Sequence, residues 1–293
     1  MTAPRAVHAG TTYLITRRCL NRMLLLRPSA GVTAVFAFVL ARAAKRTGVQ
    51  VHAFCVMSNH YHLVVTDPHA RLPRFTQYLD AFVARATNAL LGRWEQFWGG
   101  HSYSAVALGS PADIVSKVAY TLANPVAAGL VREGHLWPGL WSRPSDFGAT
   151  SRVRRPDHFF DKKGKQPACE ELELLVPEGF SSAADFRAQV ETELSRQEQA
   201  AQEEKQAYLG VARVLGQSPF KRPRTGEPHR GLSPRVAARD RWRRMELLQR
   251  LKSFTADYAE ALRIWREGLK EAVFPAGTYL MRVAHGVACA GPA

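Results

Sequence analysis

The sequence predicts an α+β fold, a ferredoxin-like antiparallel sheet with helices on one face, followed by a mainly helical C-terminal extension. Three observations carry this. Two β-rich runs, residues 51–57 and 60–66, are separated only by Ser58-Asn59, which reads as a hairpin. Two helix-like apolar stretches, 31–46 and 72–91, flank that hairpin in chain order, and short β-rich runs at 13–16 and 103–108 bracket the whole. The resulting order β, α, β, β, α, β is that of a split βαβ unit, whose helices cover one side of the sheet.

Each element has a local reason. Tyr13 to Thr16 is rich in β-formers, and Gly31 to Arg46 is an apolar stretch stopped by Gly48, a residue suited to the left-handed turn that ends helices. In the hairpin, β-branched and aromatic side chains dominate both arms. Leu72 to Leu91 has Pro73 in its first turn and Gly92 after its last, the expected punctuation of a helix. Ser110-Pro111-Ala112-Asp113 opens a further helix, with Ser110 as N-cap and proline at the first helical position. Beyond residue 150, stretches 191–208 and 237–269 read as helical.

Charge divides the chain. Of 293 residues, 40 are Lys or Arg and 25 are Asp or Glu, a formal net charge of +15 that points to a polyanionic partner. Residues 1–150 carry +9 among long apolar stretches, 170–206 carry −7, and 207–293 return to +9. This pattern predicts a domain over 1–150, a linker over 151–168 and a mainly helical, basic region over 169–293. With 46% hydrophobic residues the chain has material for a sizeable core, so disorder throughout is excluded. No run approaches the ~20 apolar residues of a membrane span, so no membrane partner and a cytoplasmic location are expected. Cys19, Cys55, Cys169 and Cys289 are scattered without a C-x-x-C pair, which argues against a zinc ribbon or a disulfide framework.

Two segments carry candidate chemistry. Side chains alternate along a strand, so His60 and His62 point the same way and two imidazoles can share one cation. Read alone, the pair is equally that of two hydrogen-bonded structural histidines. On the helix opened by Pro111, Ile114, Val115, Val118 and Leu122 form an apolar arc, with Lys117, Tyr120 and Asn124 on the other side. Tyr120 and Asn124 stand at i and i+4, so a phenol and an amide can approach one point. An isolated tyrosine there is ordinarily a plain surface residue, and Pro125 biases Asn124 toward a helix end.

The run His52-Ala53-Phe54-Cys55-Val56-Met57-Ser58-Asn59-His60-Tyr61-His62-Leu63, followed about sixty residues later by Ala119-Tyr120-Thr121-Leu122-Ala123-Asn124-Pro125-Val126-Ala127-Ala128-Gly129-Leu130, resembles the HUH single-tyrosine transposases, in the branch of REP-associated tyrosine transposases. The resemblance covers roughly residues 10–148, with Trp141-Ser142 near its end. It implies a catalytic set of Tyr120, His60 and His62, with Tyr120 as nucleophile. It implies a divalent ion, Mg²⁺ or Mn²⁺, held by His60, His62 and Asn124, although two imidazoles also suit Zn²⁺. The implied reaction cleaves and rejoins single-stranded, hairpin-bearing DNA through a 5′-phosphotyrosine intermediate, with no ATP and with a homodimer left open. Tyr61 departs from the aliphatic residue usual between the histidines; it points to the opposite face and is expected to pack into the sheet.

Arg17, Arg18, Arg22 and Arg27 after the first strand, and Arg71, Arg74, Arg85 and Arg93 around the second helix, are the expected phosphate contacts. Each is also readable as solvated surface. Trp242, set among Arg239, Arg241, Arg243 and Arg244, suits either stacking on an unpaired base or core packing. A domesticated endonuclease or nickase would share every site residue. A silent DNA-binding regulator would not need the intact His60, His62, Tyr120 and Asn124 set, and a zinc hydrolase would leave Tyr120 and the positive charge without a role.

Overall fold

The computed structural model describes residues 4–100, 102–161, 163–205, 207–222 and 234–291. Its core is a five-stranded sheet in the order β2-β3-β1-β4-β7, built from β1 (Thr11–Arg18), β2 (Gln50–Val56), β3 (His60–Asp67), β4 (Ser104–Leu108) and β7 (Val236–Ala237). The first four strands pair antiparallel, and β7 adds a short parallel edge beside β4, so the complete sheet is mixed. The β2–β3 hairpin turns at Ser58-Asn59, closed by the Met57 amide donating to the His60 carbonyl at 2.8 Å.

Helices α1 (Ala30–Thr47) and α2 (Leu72–Leu91) cover one face, as the split βαβ order requires. α1 starts where Ser29 accepts a hydrogen bond from the Val32 amide and stops at Gly48, whose φ of 75° suits only a residue without Cβ. Phe36, Phe38, Leu40, Phe75, Leu79 and Val83 pack against Ile15, Tyr61, Leu63 and Val65, all buried. Each such side chain contributes ~2 kcal/mol by leaving water. Tyr61 sits on this face as expected, edge-on to Phe36 and Trp98 at 5.3 and 5.6 Å between centroids.

Helix α3 (Pro111–Ala127) lies across the other face. The Ser110 hydroxyl accepts from the Asp113 amide, confirming the cap. Pro125 does not end the helix, which runs on to Ala127, and this places Asn124 in regular helix one turn beyond Tyr120. Thr121, whose carbonyl would have met the missing proline N–H, turns its hydroxyl to the Lys117 carbonyl at 2.8 Å. Residues 140–142 then bind β2: the Val56 amide donates to the Leu140 carbonyl and the Ser142 amide to the Phe54 carbonyl, while the Trp141 indole donates to the Leu122 carbonyl at 3.0 Å.

The stretch expected as a linker contains a strand. β5 (Thr150–Arg154) pairs with β6 (Cys169–Glu173), and this ribbon packs on α1. The reason is electrostatic as well as apolar. Glu170 is buried at 3% exposure beneath Arg42 and Lys45, at 2.5 and 3.2 Å, while Phe160, Leu172 and Leu174 join the main core. α4 (Ala183–Glu204) packs along α3 and buries Phe186 and Val190 in that same core. No boundary between two cores therefore falls at residue 150. After α5 (Val211–Leu215), the long α6 (Arg241–Arg266) and α7 (Leu280–His285) gather a small separate cluster of Ala261, Phe274, Met281 and Val287. No helix among the described residues is long and apolar enough to cross a membrane.

Candidate active site

Strand alternation puts His60 and His62 on the α3 face, and sheet register decides their surroundings: His62 stands opposite Thr16 of β1 and Cys55 of β2. Their rings meet edge to face, 4.8 Å between centroids, with the two Nε2 atoms 3.1 Å apart. The outer nitrogens are held. His60 Nδ1 donates to Asn59 Oδ1 at 2.6 Å, and His62 Nδ1 is 2.8 Å from the Thr16 hydroxyl. With Nδ1 protonated toward these partners, both Nε2 lone pairs face the same point.

α3 closes the site from above. The Asn124 amide reaches His62 Nε2 at 3.2 Å, and the Tyr120 ring lies 5.4 Å from the His62 ring, steeply inclined to it. Tyr120 is 40% exposed, open to an incoming strand, and Lys117 Nζ stands 5.3 Å from its ring centroid. Burial lowers the His60 pKa to about 4, and burial together with the neighbouring His60 and Arg18 holds His62 well below the usual imidazole range. At neutral pH both imidazoles are therefore uncharged.

At 3.1 Å the two Nε2 atoms share a hydrogen bond when one of them carries a proton, and present two lone pairs to one point when both Nδ1 atoms are protonated. Two atoms each ~2.1 Å from one octahedral ion are ~3.0 Å apart, so the pair fits a divalent ion. Among the described residues no group of three or more His, Cys, Asp or Glu side chains is placed to hold a metal ion. Asn124 presents its amide nitrogen to His62, and an amide flip would offer its oxygen to the same point.

The arginines divide by face and by end. Arg18 pairs in register with His60, is exposed, and its charge reaches both imidazoles. Arg22 lies in the loop whose backbone meets the hairpin turn, its carbonyl accepting from Asn59 Nδ2 at 3.4 Å. Arg27 stands near the same end, where its guanidinium donates to the Leu215 carbonyl. Arg17 is a correction: alternation turns it to the opposite face, where it meets Asp80 at 3.7 Å and stacks toward Trp98. Arg74 opens α2 at the Asp67 end of β3, ~23 Å along the strand from His60, and Arg85 lies over Phe82 on the α1–α2 side. Neither reaches the histidines. Arg93 is tied to Glu95 at 3.2 Å. Thr16 and Asn59 were not anticipated from the sequence; only the β1–β3 register and the turn geometry reveal them.

The sheet carries its His-x-His strand against a tyrosine-bearing helix, the arrangement that the resemblance to the HUH single-tyrosine transposases implies. Residues 13–110, about a third of the chain, match the family described as "Transposase IS200 like". The matched segment contains His60 and His62 and stops short of Tyr120 and Asn124. Two solved structures are similar over part of the chain. One, a REP-associated tyrosine transposase bound to a REP hairpin, is 17% identical and covers 50% of this chain and 84% of its own, with a TM-score of 0.42. The other, a putative transposase from Deinococcus radiodurans R1, is 20% identical, covers 36% of this chain and 85% of its own, and has a TM-score of 0.29. No curated protein sequence matches the chain.

Proposed function

We propose that this protein is a transposase-like enzyme that cleaves and rejoins single-stranded DNA at hairpin-bearing ends, in the manner of the REP-associated branch. The observation that carries the reading is the convergence of His60, His62 and Asn124 on one point beside the half-exposed Tyr120. In the reaction the Tyr120 phenol oxygen attacks phosphorus, a new O–P bond forms, and the bond to the 3′ oxygen breaks. The phenol proton passes to solvent and the departing oxygen leaves as a 3′-OH. The phosphodiester energy is kept in the 5′-phosphotyrosine bond, so the 3′-OH of another strand can reverse the step without ATP. His60, His62 and Asn124 would hold Mg²⁺ or Mn²⁺, which when bound supplies Lewis-acid neutralisation of the scissile phosphate. Thr16 and Asn59 orient the imidazoles, while Arg18, Arg22 and Lys117 lie where phosphates approach.

The test is a denaturing gel with hairpin DNA labelled at one end or the other, in Mn²⁺. Label on the 3′ side of the break should travel with the protein, and label on the 5′ side should appear as a shorter free strand. Retention of the 5′-side label instead would reverse the polarity and refute the proposed chemistry.

A further inference from the structure

Helix α6 lies outside the segment that matches the transposase family, and the cleavage site does not use it. One side of it is anchored. Leu247 and the Arg243 stem pack against Gly109, Arg243 Nε donates to the Gly109 carbonyl at 3.3 Å, and Phe254 is buried. At 100° per residue, Arg241, Arg244, Met245, Leu248 and Lys252 fall together on the other side with Trp242 at its margin, and all six are exposed. Trp242 is 75% exposed, so it has no role in the core.

The charges on this side differ from their neighbours. Arg243 and Arg250 pair with Glu246, and Arg239 pairs with Glu193, whereas the side chains of Arg241, Arg244 and Lys252 have no ion-pair or hydrogen-bond partner among the described residues. Glu246 is the only acid between 241 and 256. Three unpaired cations interleaved with Trp242, Met245 and Leu248 match a ligand that offers both phosphates and unstacked bases. An acidic protein surface would meet the cations and leave the three apolar side chains in water.

The face is also continuous with the nucleophile. The Arg239 amide donates to Asp113 Oδ1 at 2.7 Å and its guanidinium to Ser116 Oγ at 3.1 Å, fixing the start of α6 beside the first turns of α3. Ser116 is one turn from Tyr120, with Lys117 between them. Lys117 stands beside Tyr120, and Arg239 ties the start of α6 to that helix, so the unpaired Arg241, Arg244 and Lys252 follow on the element that leaves from there. From Arg241 to Lys252 the helix rises ~16 Å, room for several phosphate contacts.

We propose that the exposed face of α6 binds the unpaired DNA that flanks the cleaved phosphate, with Arg241, Arg244 and Lys252 on phosphates and Trp242 stacked on a base. This rests on the DNA-cleaving reading above. The test uses the full chain and two DNAs, a hairpin with long unpaired flanks on both sides and the same hairpin trimmed of them. The parent should bind the flanked DNA at least tenfold more tightly at ~0.15 M salt. A triple Arg241→Ala, Arg244→Ala, Lys252→Ala variant should lose that advantage, and the slope of log affinity against log salt should flatten by ~2, near 0.7 per lost single-strand contact. Trp242→Leu should weaken flanked binding at least fivefold at unchanged salt slope.

Arg250→Ala, which removes a charge already paired on the other side, should keep the flank advantage; a loss equal to that of the triple variant would overturn the proposal as a general charge effect. A parent with no flank advantage, or a triple variant that retains it, would overturn it too. The cleavage reading is scored separately, by the covalent adduct of the parent with the flanked hairpin. An absent adduct alongside a real, variant-sensitive flank advantage would refute cleavage and leave the surface standing.

Discussion

Replacing Thr16 with valine isolates the support of one imidazole from everything else in the site. The two side chains are nearly isosteric and both favour strands, so β1 and its pairing with β3 should persist. What is lost is the hydroxyl 2.8 Å from His62 Nδ1. That contact stops the ring from turning away from His60 and Asn124, and when the hydroxyl accepts from Nδ1 it leaves Nε2 free. Partners of this kind are worth ten- to a hundredfold in ion affinity, or about 1.4 to 2.7 kcal/mol. Adduct yield measured against Mn²⁺ concentration should therefore half-saturate at ten- to a hundredfold more Mn²⁺ in Thr16→Val, with the yield recovering at high Mn²⁺. Tyr120→Phe should show no recovery at any concentration. If Thr16→Val titrates like the parent, the hydroxyl does not orient a ligand, and the assignment of His62 Nε2 to the ion loses its support.

Other expectations concern stability and the hold on α3. His52 is fully buried between the Leu175 carbonyl and the Thr66 hydroxyl, at 2.6 and 2.7 Å, and burial lowers its pKa to about 4. It folds neutral, so its contribution is full above the unfolded value of 6.5 and is lost as pH falls toward 4; His52→Gln should make urea-measured stability less steep over that window by about 3 kcal/mol. Asp80 runs the other way, because burial raises its carboxyl from 3.8 to about 6 and its charging costs stability as pH rises between those values. Tyr61→Phe removes the hydroxyl that donates to Asp80 Oδ1 at 2.7 Å, and melting curves should show a loss of about 1–3 kcal/mol that is larger above pH 6 than below pH 4. Trp141→Phe deletes the indole bond to the Leu122 carbonyl, and should cost about 1 kcal/mol and lower the adduct-forming rate more than DNA affinity.

Local signals made most of the core fold and the residues of the candidate site legible. α2 occupies Leu72–Leu91 as its flanking proline and glycine predict, and the Ser58-Asn59 turn sets the hairpin that presents His60 and His62. Alternation alone, however, cannot say which of two adjacent residues faces the site. Arg17 and Arg18 were therefore inseparable until the β1–β3 register placed Arg18 beside His60 and Arg17 beneath Trp98. The same long-range register brought Thr16 to His62. The β5–β6 ribbon was missed because Thr150–Arg154 is mostly exposed and basic, so its sequence reads as a linker; its partner, the buried Glu170 clasped by Arg42 and Lys45, lies some 125 residues from them in sequence and leaves no local signal. Pro125 misled in the opposite sense, since a helix held by α4 and by Trp141 absorbs one missing N–H.

The central claim is that Tyr120 is the nucleophile, and mapping the adduct tests it most directly. Tryptic cleavage after Lys117 and Arg132 yields the peptide 118–132, in which Tyr120 is the only tyrosine. After incubation with hairpin DNA and Mn²⁺ followed by nuclease digestion, mass spectrometry should find a nucleotide remnant on Tyr120 in this peptide and no adduct in Tyr120→Phe. A remnant on another residue, or an undiminished adduct in Tyr120→Phe, would contradict the account.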